Sequence, residues 1–182
     1  MSAISGVVPV VPTPFVPLSE EIDVPALRGL IDFAVRTRAA AVCLPAYGSE
    51  FYKLTEQERI ELVEVAVNQA AGRLPVMAQC NHGSAKVAAS FAARNARAGA
   101  AVVSFALPRQ FGLTETDLLA YARTVCDAVD APVLVQDWNP AGHTVGAEFC
   151  ATLAEACPNF RYIKLEEPRM APKVRAIIVA TA

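Results

Sequence analysis

The stretch TEQERIELVEVAVNQAAGRLPVMAQC, Thr55 to Cys80, contains a helical pattern followed directly by a strand pattern. Thr55 with Glu58 three residues later forms a capping box, which predicts a helix start, and Gly72 predicts the helix end. Apolar residues recur between them at helical spacing and predict a helix lying on a sheet. These residues are Leu62, Val63, Ala66, Val67 and Ala70. The apolar run LPVMAQC then predicts a buried strand, so the stretch predicts one helix-plus-strand unit.

This unit recurs along the chain at intervals of roughly thirty residues, the size of a strand with its crossover helix. Six apolar, β-rich runs have helical patterns between them. The runs are GVVPVV, AAVCLPA, LPVMAQC, AAVVSFAL, APVLVQDW and FRYIKLE. A second helix is predicted to start at the cap Thr114, with Leu118, Ala122, Val125 and Val129 facing inward. Alternating strands and helices predict an α/β protein with a parallel sheet, either open and doubly wound or a (β/α)8 barrel.

Polar residues follow every predicted strand, and this favours the barrel. Parallel α/β folds bind ligands at the carboxyl ends of their strands, and an open sheet would use mainly the ends near its switch point. The residues are Thr13; Tyr47, Ser49 and Glu50; Gln79, Asn81 and His82; Arg109; Gln136, Asp137 and Asn139; and Lys164, Glu166 and Glu167.

Composition excludes several classes of protein. The 182 residues are 54% hydrophobic and 19% charged, with a net charge of −2, which gives no electrostatic case for binding nucleic acid or an anionic membrane. The opening MSAISGVVPV does not have the pattern of a signal peptide, and no apolar stretch is long enough to span a bilayer, so a cytoplasmic protein is predicted. The five cysteines have no paired spacing and are expected to be buried thiols. With two histidines and no metal-ligand motif, neither a metal nor a nucleotide cofactor is predicted.

A lysine interrupts the last apolar run, FRYIKLEEP, Phe160 to Pro168. Because side chains alternate along a strand, Tyr162, Lys164 and Glu166 share one face. If that face lies inside a barrel, desolvation favours a neutral amine at Lys164 that attacks a carbonyl and forms a Schiff base. Alternatively, the stretch is an edge strand with a snorkelling lysine neutralised by Glu166 or Glu167.

Four stretches occur together in the order and spacing of a known family. They are GVVPVVPTPF at 6–15, GSEFYKLTEQERIELVEVAV at 48–67, APVLVQDWNPAG at 131–142 and YIKLEE at 162–167. The chain resembles the dihydrodipicolinate synthase / N-acetylneuraminate lyase family of class I aldolases. The resemblance implies a (β/α)8 TIM barrel, usually a homo-oligomer, that binds pyruvate or another 2-oxo acid as a Schiff base without a cofactor. It also implies that Lys164 is the imine-forming lysine.

The sequence departs from the family pattern at the expected site. The family's G-T-T-G-E loop, which holds the substrate carboxylate, is here Ala46-Tyr47-Gly48-Ser49-Glu50. The resemblance therefore leaves Tyr47, Gly48 and Ser49 as the carboxylate-binding residues, and Thr13 is expected to reach the same site.

The family's proton-shuttling tyrosine aligns with Gln136, which exchanges no proton at a useful pKa, so Asp137 or Tyr47 is the alternative. The arginine of a family loop aligns near His143. Gln136 and Asp137 with Lys164 are thus the predicted catalytic positions, and His143 is a further substrate-binding candidate.

The remaining polar residues and prolines have simpler interpretations. Glu50 is expected to anchor its loop, and Arg109 to offer a carboxylate fork or a surface charge. Three prolines, Pro9, Pro12 and Pro14, remove backbone donors, so the first strand is expected to pair sparingly.

The family barrel has eight strands, and about six βα units are present in residues 1–182. We therefore expect a single partial TIM-barrel domain without strands seven and eight and their helices, which leaves Lys164 on an edge strand. A partial chain, two copies that complete each other, and an inactive form are the alternatives. The partial chain is favoured because YIKLEE keeps the pattern of an interior strand.

The predicted function is that of a class I, lysine-dependent aldolase or lyase acting on pyruvate or another 2-oxo acid. The alternatives are a non-catalytic or truncated family relative, and a dehydratase of sugar acids that uses the same imine.

Overall fold

The computed structural model describes residues 4–109, 112–140 and 142–182 of the chain. Its elements alternate, with a strand between successive helices. The helices are α1 (Val24–Arg36), α2 (Glu56–Ala70), α3 (Ala85–Arg97), α4 (Glu115–Cys126), α5 (Ala147–Ala156) and α6 (Met170–Ala180). The strands are β1 (Val42–Leu44), β2 (Val76–Gln79), β3 (Val102–Ala106), β4 (Val133–Asp137) and β5 (Phe160–Leu165). The sheet order is β1-β2-β3-β4-β5, with parallel pairing of β1 with β2 and of β4 with β5, as the βα repeat predicted.

The chain divides into two compact units. Unit 1 comprises Met1–Cys80 and Ala93–Val103, and unit 2 comprises Asn81–Ala92 and Ser104–Ala182. The expectation of one domain over residues 1–182 stays a prediction.

In unit 1, helix α2 begins and ends as the sequence predicted. Thr55 Oγ1 accepts a hydrogen bond from Glu58 N at 3.2 Å, and Glu58 Oε2 accepts one from Thr55 N at 2.7 Å. The helix ends at Ala70, its C-cap Ala71 lies in the left-handed region with φ 46°, and Gly72 follows at φ 74°. Four of the five predicted inward residues are buried, and Val67 is half-buried. This helix packs over a core that includes Leu27, Ile31, Val42, Leu44, Leu62 and Val76.

The first apolar run, GVVPVV, forms no regular strand, which corrects the prediction of six strands. It pairs with β1 through one isolated parallel bridge between Val10 and Cys43. Val11 N donates to the Cys43 carbonyl and Cys43 N donates to the Pro9 carbonyl, each at 3.0 Å. Proline has no N–H to donate to the ladder. Pro9, Pro12 and Pro14 therefore reduce the pairing further than the sequence analysis expected, and no regular strand forms.

In unit 2, helix α4 starts at the predicted cap Thr114, whose Oγ1 accepts from Asp117 N at 3.2 Å. Leu118, Ala122 and Val125 are buried as predicted, whereas Val129 lies beyond the helix end and is half-buried. Strand β5 pairs with β4 and is the last strand in the sheet order, and its side chains are half-buried or exposed. It is therefore an edge strand in this chain, as expected.

All five cysteines are buried and reduced, as predicted. Burial raises the pKa of the Cys80 thiol to about 12 and that of Cys150 to about 11, which makes both poor nucleophiles. Within the described ranges, no group of three or more histidine, cysteine, aspartate or glutamate side chains is arranged to hold a metal ion. Across the same residues, every helix is too short or too polar to cross a membrane.

Candidate active site

The carboxyl ends of β4 and β5 bring the predicted lysine beside the predicted glutamine. Gln136 and Lys164 are register partners in the parallel ladder. Lys164 Nζ lies 2.5 Å from Glu166 Oε1, and Gln136 Nε2 donates to the same oxygen at 2.7 Å. Glu166 is two residues after Lys164, the spacing that places both on one face of a strand. The carboxylate therefore holds an ammonium and a buried amide together.

Lys164 is not desolvated in this chain. Its side chain is 48% exposed and that of Glu166 is 32% exposed, whereas Gln136 is 3% exposed. The interior environment expected for a closed barrel is not supplied by an edge strand. The edge-strand alternative, in which Glu166 neutralises the lysine, correctly describes the contacts that the chain makes.

Asp137 is completely buried and its carboxylate is engaged at both oxygens. Arg109 Nη2 donates to Oδ1 at 2.8 Å, and the main-chain amide of Val145 donates to Oδ2 at 2.7 Å. The predicted fork of Arg109 thus binds a carboxylate of the protein itself. Both carboxylate oxygens therefore contact protein groups and neither faces solvent.

A second ionic cluster lies after β5, where three elements meet. Lys173 of α6 lies with its Nζ 2.7 Å from Glu167 Oε2, and Thr144 donates to the same carboxylate oxygen. Lys173 also donates to the Thr144 hydroxyl. The hydrogen bond from Lys173, followed by that from Thr144, lowers the pKa of Glu167 below its ordinary value of 4.5.

The second cluster, together with Glu166, lines an open groove of about 500 Å³ in unit 2. The lining residues are Asn139, Gly142, His143, Thr144, Glu166, Glu167, Pro168, Arg169 and Lys173. His143, a predicted substrate-binding residue, is exposed in this lining. Asn139 Nδ2 donates to the His143 carbonyl at 2.7 Å, which closes the turn on one side of the groove. The groove therefore carries both signs of charge.

In unit 1, the predicted carboxylate-binding loop is fixed by its own hydroxyl groups. Ser49 Oγ donates to the Val11 carbonyl at 2.6 Å and accepts from Ala46 N at 3.0 Å. Thr13 Oγ1 donates to the Ser49 carbonyl at 2.6 Å. Ser49 is fully buried and Thr13 is 7% exposed, so both side chains bind the main chain rather than point into solvent.

The remaining loop residues differ in exposure. An added Cβ at Gly48 would lie 3.1 Å from Val10 Cγ1, so a larger residue there requires the Val10 side chain to shift by a few tenths of an ångström. Tyr47 is 38% exposed, with its ring edge-on to Phe51 at 5.2 Å between centroids. Glu50 has φ 56° and accepts from Lys53 Nζ at 2.8 Å, consistent with the expected anchoring role.

Sequence reasoning missed Glu166 as a functional residue and considered it only as a charge partner. The strand alternation that placed Glu166 beside Lys164 was the available signal. Thr144 and Lys173 were missed entirely, because their separation of 29 residues carries no periodic pattern.

Fold and site together define the class of protein. The βα repeat carries a lysine–glutamate pair at the carboxyl end of a parallel strand, which is where barrel enzymes place reacting groups. Residues 3–173 match the sequence model of the Dihydrodipicolinate synthetase family. The chain belongs to this family, which confirms the resemblance drawn from its motifs.

Two curated relatives illustrate the range of the family. The chain is 33% identical over 177 residues to L-2-keto-3-deoxyarabonate dehydratase of Azospirillum brasilense, covering 95% of this chain and 57% of the relative. It is 30% identical over 154 residues to 4-hydroxy-tetrahydrodipicolinate synthase of Acidobacterium capsulatum, covering 84% and 51%. The chain thus spans a little over half the length of these relatives.

Solved structures agree on the fold. Dihydrodipicolinate synthase from Aquifex aeolicus has a TM-score of 0.91 at 26% identity, covering 97% of this chain and 60% of the other. YagE, a prophage protein of the same family from E. coli K12 solved in complex with pyruvate, has a TM-score of 0.90 at 25% identity, covering 99% and 60%. The fold is therefore that of about six βα units of a TIM barrel, the first of them without a regular strand.

Proposed function

We propose that the protein to which this chain belongs is a class I, lysine-dependent lyase that binds a 2-oxo acid as a Schiff base on Lys164. The contact of 2.5 Å between Lys164 Nζ and Glu166 Oε1, beside Gln136, carries the proposal. It joins a nucleophilic amine to a carboxylate that accepts its proton. The pyruvate complex of YagE supports a 2-oxo acid as the ligand class.

Imine formation needs the ammonium to lose a proton before the nitrogen attacks. The carboxylate of Glu166 takes that proton, and Lys164 Nζ then forms a bond to C2 of the 2-oxo acid. Glu166 returns that proton to the former C2 oxygen, which gives a carbinolamine, and then removes a second proton from Nζ. It passes the second proton to the C2 hydroxyl, which leaves as water, so an iminium remains between Nζ and C2. The iminium withdraws electrons, so a proton on C3 becomes acidic.

Glu166 is also the group placed to move the C3 proton. Gln136 donates to Glu166 Oε1 and orients the carboxylate. Its amide group does not itself transfer a proton in the reaction. Glu166 removes the C3 proton to give an enamine and becomes a neutral acid. It then protonates whichever group leaves or receives electrons in the following step.

Dehydration of a sugar acid is the second candidate, and a specific observation favours it over carbon–carbon bond chemistry. The dehydratase of Azospirillum brasilense matches 95% of this chain, and Gln136 replaces the tyrosine expected for aldol-type proton relay. In this reaction the neutral Glu166 donates its proton to a hydroxyl on C4, which leaves as water while the enamine electrons form a C3–C4 double bond. Hydrolysis of the imine then releases the product and regenerates Lys164.

Reductive trapping tests the proposal on the protein that contains this chain. Borohydride is added with pyruvate, or with a 2-keto-3-deoxy sugar acid, and the labelled peptide is mapped by mass spectrometry. We expect the adduct on Lys164 and its loss in Lys164→Ala. Lys53→Ala is the matched control, because Lys53 is 55% exposed and paired with Glu50 at 2.8 Å. Full labelling in Lys164→Ala, or no adduct with any 2-oxo acid, would overturn the proposal.

The experiment also separates the non-catalytic alternative. A protein that binds the 2-oxo acid with equal affinity in Lys164→Ala uses no covalent chemistry. Product analysis with the same sugar acid distinguishes a dehydratase, which releases water and no aldehyde fragment, from an aldolase. The roles of Thr13, Tyr47, Gly48 and Ser49 in binding a carboxylate, and assembly as a homo-oligomer, stay proposals of their own.

A further inference from the structure

We infer that Lys173 of α6 is a positioning residue that, by binding Glu167, fixes the neighbouring Glu166 beside the reactive amine. The inference rests on the proposed Schiff-base function, and all the residues involved lie in unit 2. Lys173 Nζ lies 2.7 Å from Glu167 Oε2. Glu167 directly follows Glu166 in the chain, and Glu166 Oε1 lies 2.5 Å from Lys164 Nζ.

The two lysine–glutamate pairs after β5 differ in their exposure to solvent. The side chains of Lys173 and Glu167 are 16% and 21% exposed, whereas those of Lys164 and Glu166 are 48% and 32% exposed. An exposed ion pair is weak and does not by itself fix two flexible side chains, and a pair shielded from water is stronger. The shielded pair is therefore the one that orders the segment, and the exposed pair is the one that a ligand reaches.

The main chain at Glu166 is not free to move independently of Glu167. The amide of Glu166 donates to the Asp137 carbonyl at 3.3 Å, which ties the segment to β4. Pro168 follows Glu167, and a residue before proline is largely restricted to extended conformations. Because the backbone is restrained on both sides, the contact of the Glu167 carboxylate determines the direction in which Glu166 projects.

Thr144 supports the same contact from the turn after β4. Its hydroxyl donates to Glu167 and accepts from Lys173, so the three side chains contact one another. The next residue, Val145, is buried, and its amide donates to Asp137 Oδ2 at 2.7 Å, which holds the turn in place. Glu167 is thus bound by a helix and by a turn that is itself anchored.

The location of Lys173 within α6 indicates a specific contact. The helix begins at Met170, so Lys173 lies near its start, where the helix dipole favours acidic side chains and disfavours a lysine. The ion pair with Glu167 offsets this cost. Such a placement is expected for a lysine that holds a neighbouring carboxylate, and not for one that only faces solvent.

Deuterium exchange at C3 of pyruvate isolates the step that Glu166 performs. In D₂O, Glu166 removes a proton from C3 of the iminium, its carboxyl group exchanges that proton with solvent, and a deuteron returns to C3. Proton NMR at saturating pyruvate measures the exchange rate in the protein that contains this chain. Exhaustive borohydride trapping counts the molecules that form the imine.

In Lys173→Met we expect the exchange rate per trapped molecule to fall by about tenfold or more, because a small displacement of a reacting group is costly. The KM for pyruvate should stay within about twofold of the parent. Lys173→Arg keeps a cationic donor to the carboxylate, so its exchange rate should fall by less than about threefold. Lys86→Met is the matched control, because Lys86 is exposed on α3, and its rate should stay within about twofold.

Two further variants test the route through Glu167 and replace Lys173→Met if that variant does not fold. Glu167→Gln and Thr144→Val each remove one member of the cluster and should slow the exchange in the same way. Adding Lys173→Met to Glu167→Gln should cause little further loss, because both residues act through one contact. Fully multiplicative losses would show that Lys173 acts by another route and would overturn the inference.

The remaining outcomes are distinct. A parental exchange rate in Lys173→Met would overturn the inference, although an adduct on Lys164 would still uphold the proposed function. A raised KM with parental exchange at saturation would make Lys173 a substrate-binding residue and overturn it as well. Fewer trapped molecules that each exchange at the parental rate would limit Lys173 to a role in folding, which also contradicts the inference. Neither adduct nor exchange in the parent would instead refute the proposed function itself.

Discussion

The loop at residues 46–50 in unit 1 and the ends of β4 and β5 in unit 2 use their polar side chains differently. In the loop, the hydroxyls of Ser49 and Thr13 are buried and donate to main-chain carbonyls at 2.6 Å. At the strand ends, Lys164 and Glu166 are 48% and 32% exposed and contact each other. Buried hydroxyls that bind main-chain groups fix the conformation of the loop, whereas an exposed ionic pair is able to exchange protons with a ligand.

The contrast extends to the lysines. Lys53 and Lys164 are both about half exposed, and each pairs with a glutamate, at 2.8 Å and 2.5 Å. Lys53 lies on a short 3₁₀ turn, Phe51–Lys53, and its glutamate has no second side-chain donor among the hydrogen bonds described. Glu166 also accepts from the buried Gln136. Two features thus make a lysine–glutamate pair a candidate for acid–base chemistry. The pair lies at the carboxyl end of a strand, and a third residue orients its carboxylate.

The largest expected effect comes from removing the proton acceptor. Glu166→Gln preserves shape and the contact with Gln136 but accepts no proton, so kcat on the active 2-oxo acid should fall by about 10²–10⁴-fold. Steady-state kinetics measure this fall, and borohydride trapping reports whether the imine still forms. Glu50→Gln is the matched control, and its exposed pair with Lys53 should change kcat by no more than about twofold. If Glu166→Gln and Glu50→Gln had equal kcat, Glu166 would have no role in the mechanism. The ionic pair after β5 would then not differ in function from the pair of Glu50 and Lys53.

Ser49→Ala should destabilise the loop of unit 1. The change leaves the Val11 carbonyl and the Ala46 amide without the hydroxyl partner, which costs about 1–3 kcal/mol of unfolding free energy. Denaturant titration measures the loss, and the KM for pyruvate in labelling of Lys164 tests separately whether the Ser49 hydroxyl also binds the substrate carboxylate. Ser19→Ala, at an exposed position, should change the free energy by less than about 0.5 kcal/mol. A large rise in KM for pyruvate at unchanged stability would instead assign the Ser49 hydroxyl to substrate binding.

Features that depend on a few neighbouring residues were predictable from the sequence. The caps at Thr55 and Thr114 and the apolar stripe of α2 depend only on local spacing, and the structure confirms them. The prediction of the first strand was wrong. It gave more weight to the apolar composition of the run than to the N–H donors that are missing at Pro9 and the prolines near it. Pairing in a ladder needs N–H groups, whatever the hydropathy of the segment.

The site was predictable only as far as strand geometry reaches. Alternation placed Lys164 and Glu166 on one face, and the structure brings them into contact. The cluster of Thr144, Glu167 and Lys173 depends on how α6 folds back on the turn after β4, and no spacing encodes that. Likewise, an aspartate at the end of a strand has the same sequence pattern whether it faces a ligand or, like Asp137, an arginine and a buried amide.

Thr114→Ala should have a smaller effect than Ser49→Ala and should sharpen the contrast within unit 2. It removes the hydroxyl that accepts from Asp117 N at the start of α4 and should lower the unfolding free energy by about 1 kcal/mol. Hydrogen exchange should speed up first in the amides of that turn. Thr55→Ala is the counterpart in unit 1, where the capping box has the same geometry. Both variants should label Lys164 normally, so a loss of labelling in Thr114→Ala alone would mean that the cap supports the site.

The smallest expected effect is a pH dependence of stability at the Glu167 cluster. Lys173 and Thr144 hold the pKa of Glu167 below 4.5, so the carboxylate stabilises the folded state at pH values above its unfolded pKa. That contribution is lost as the pH falls through the lower, folded value. In Lys173→Met the largest cause of the shift is absent, so the folded pKa lies closer to the ordinary value, and the loss of stability should be smaller and complete at a higher pH. Denaturant midpoints at successive pH values below 6 measure the change, with Lys86→Met on the exposed side of α3 as the control. Superimposable profiles for the parent and Lys173→Met would show that the ion pair adds nothing to the stability of the folded state.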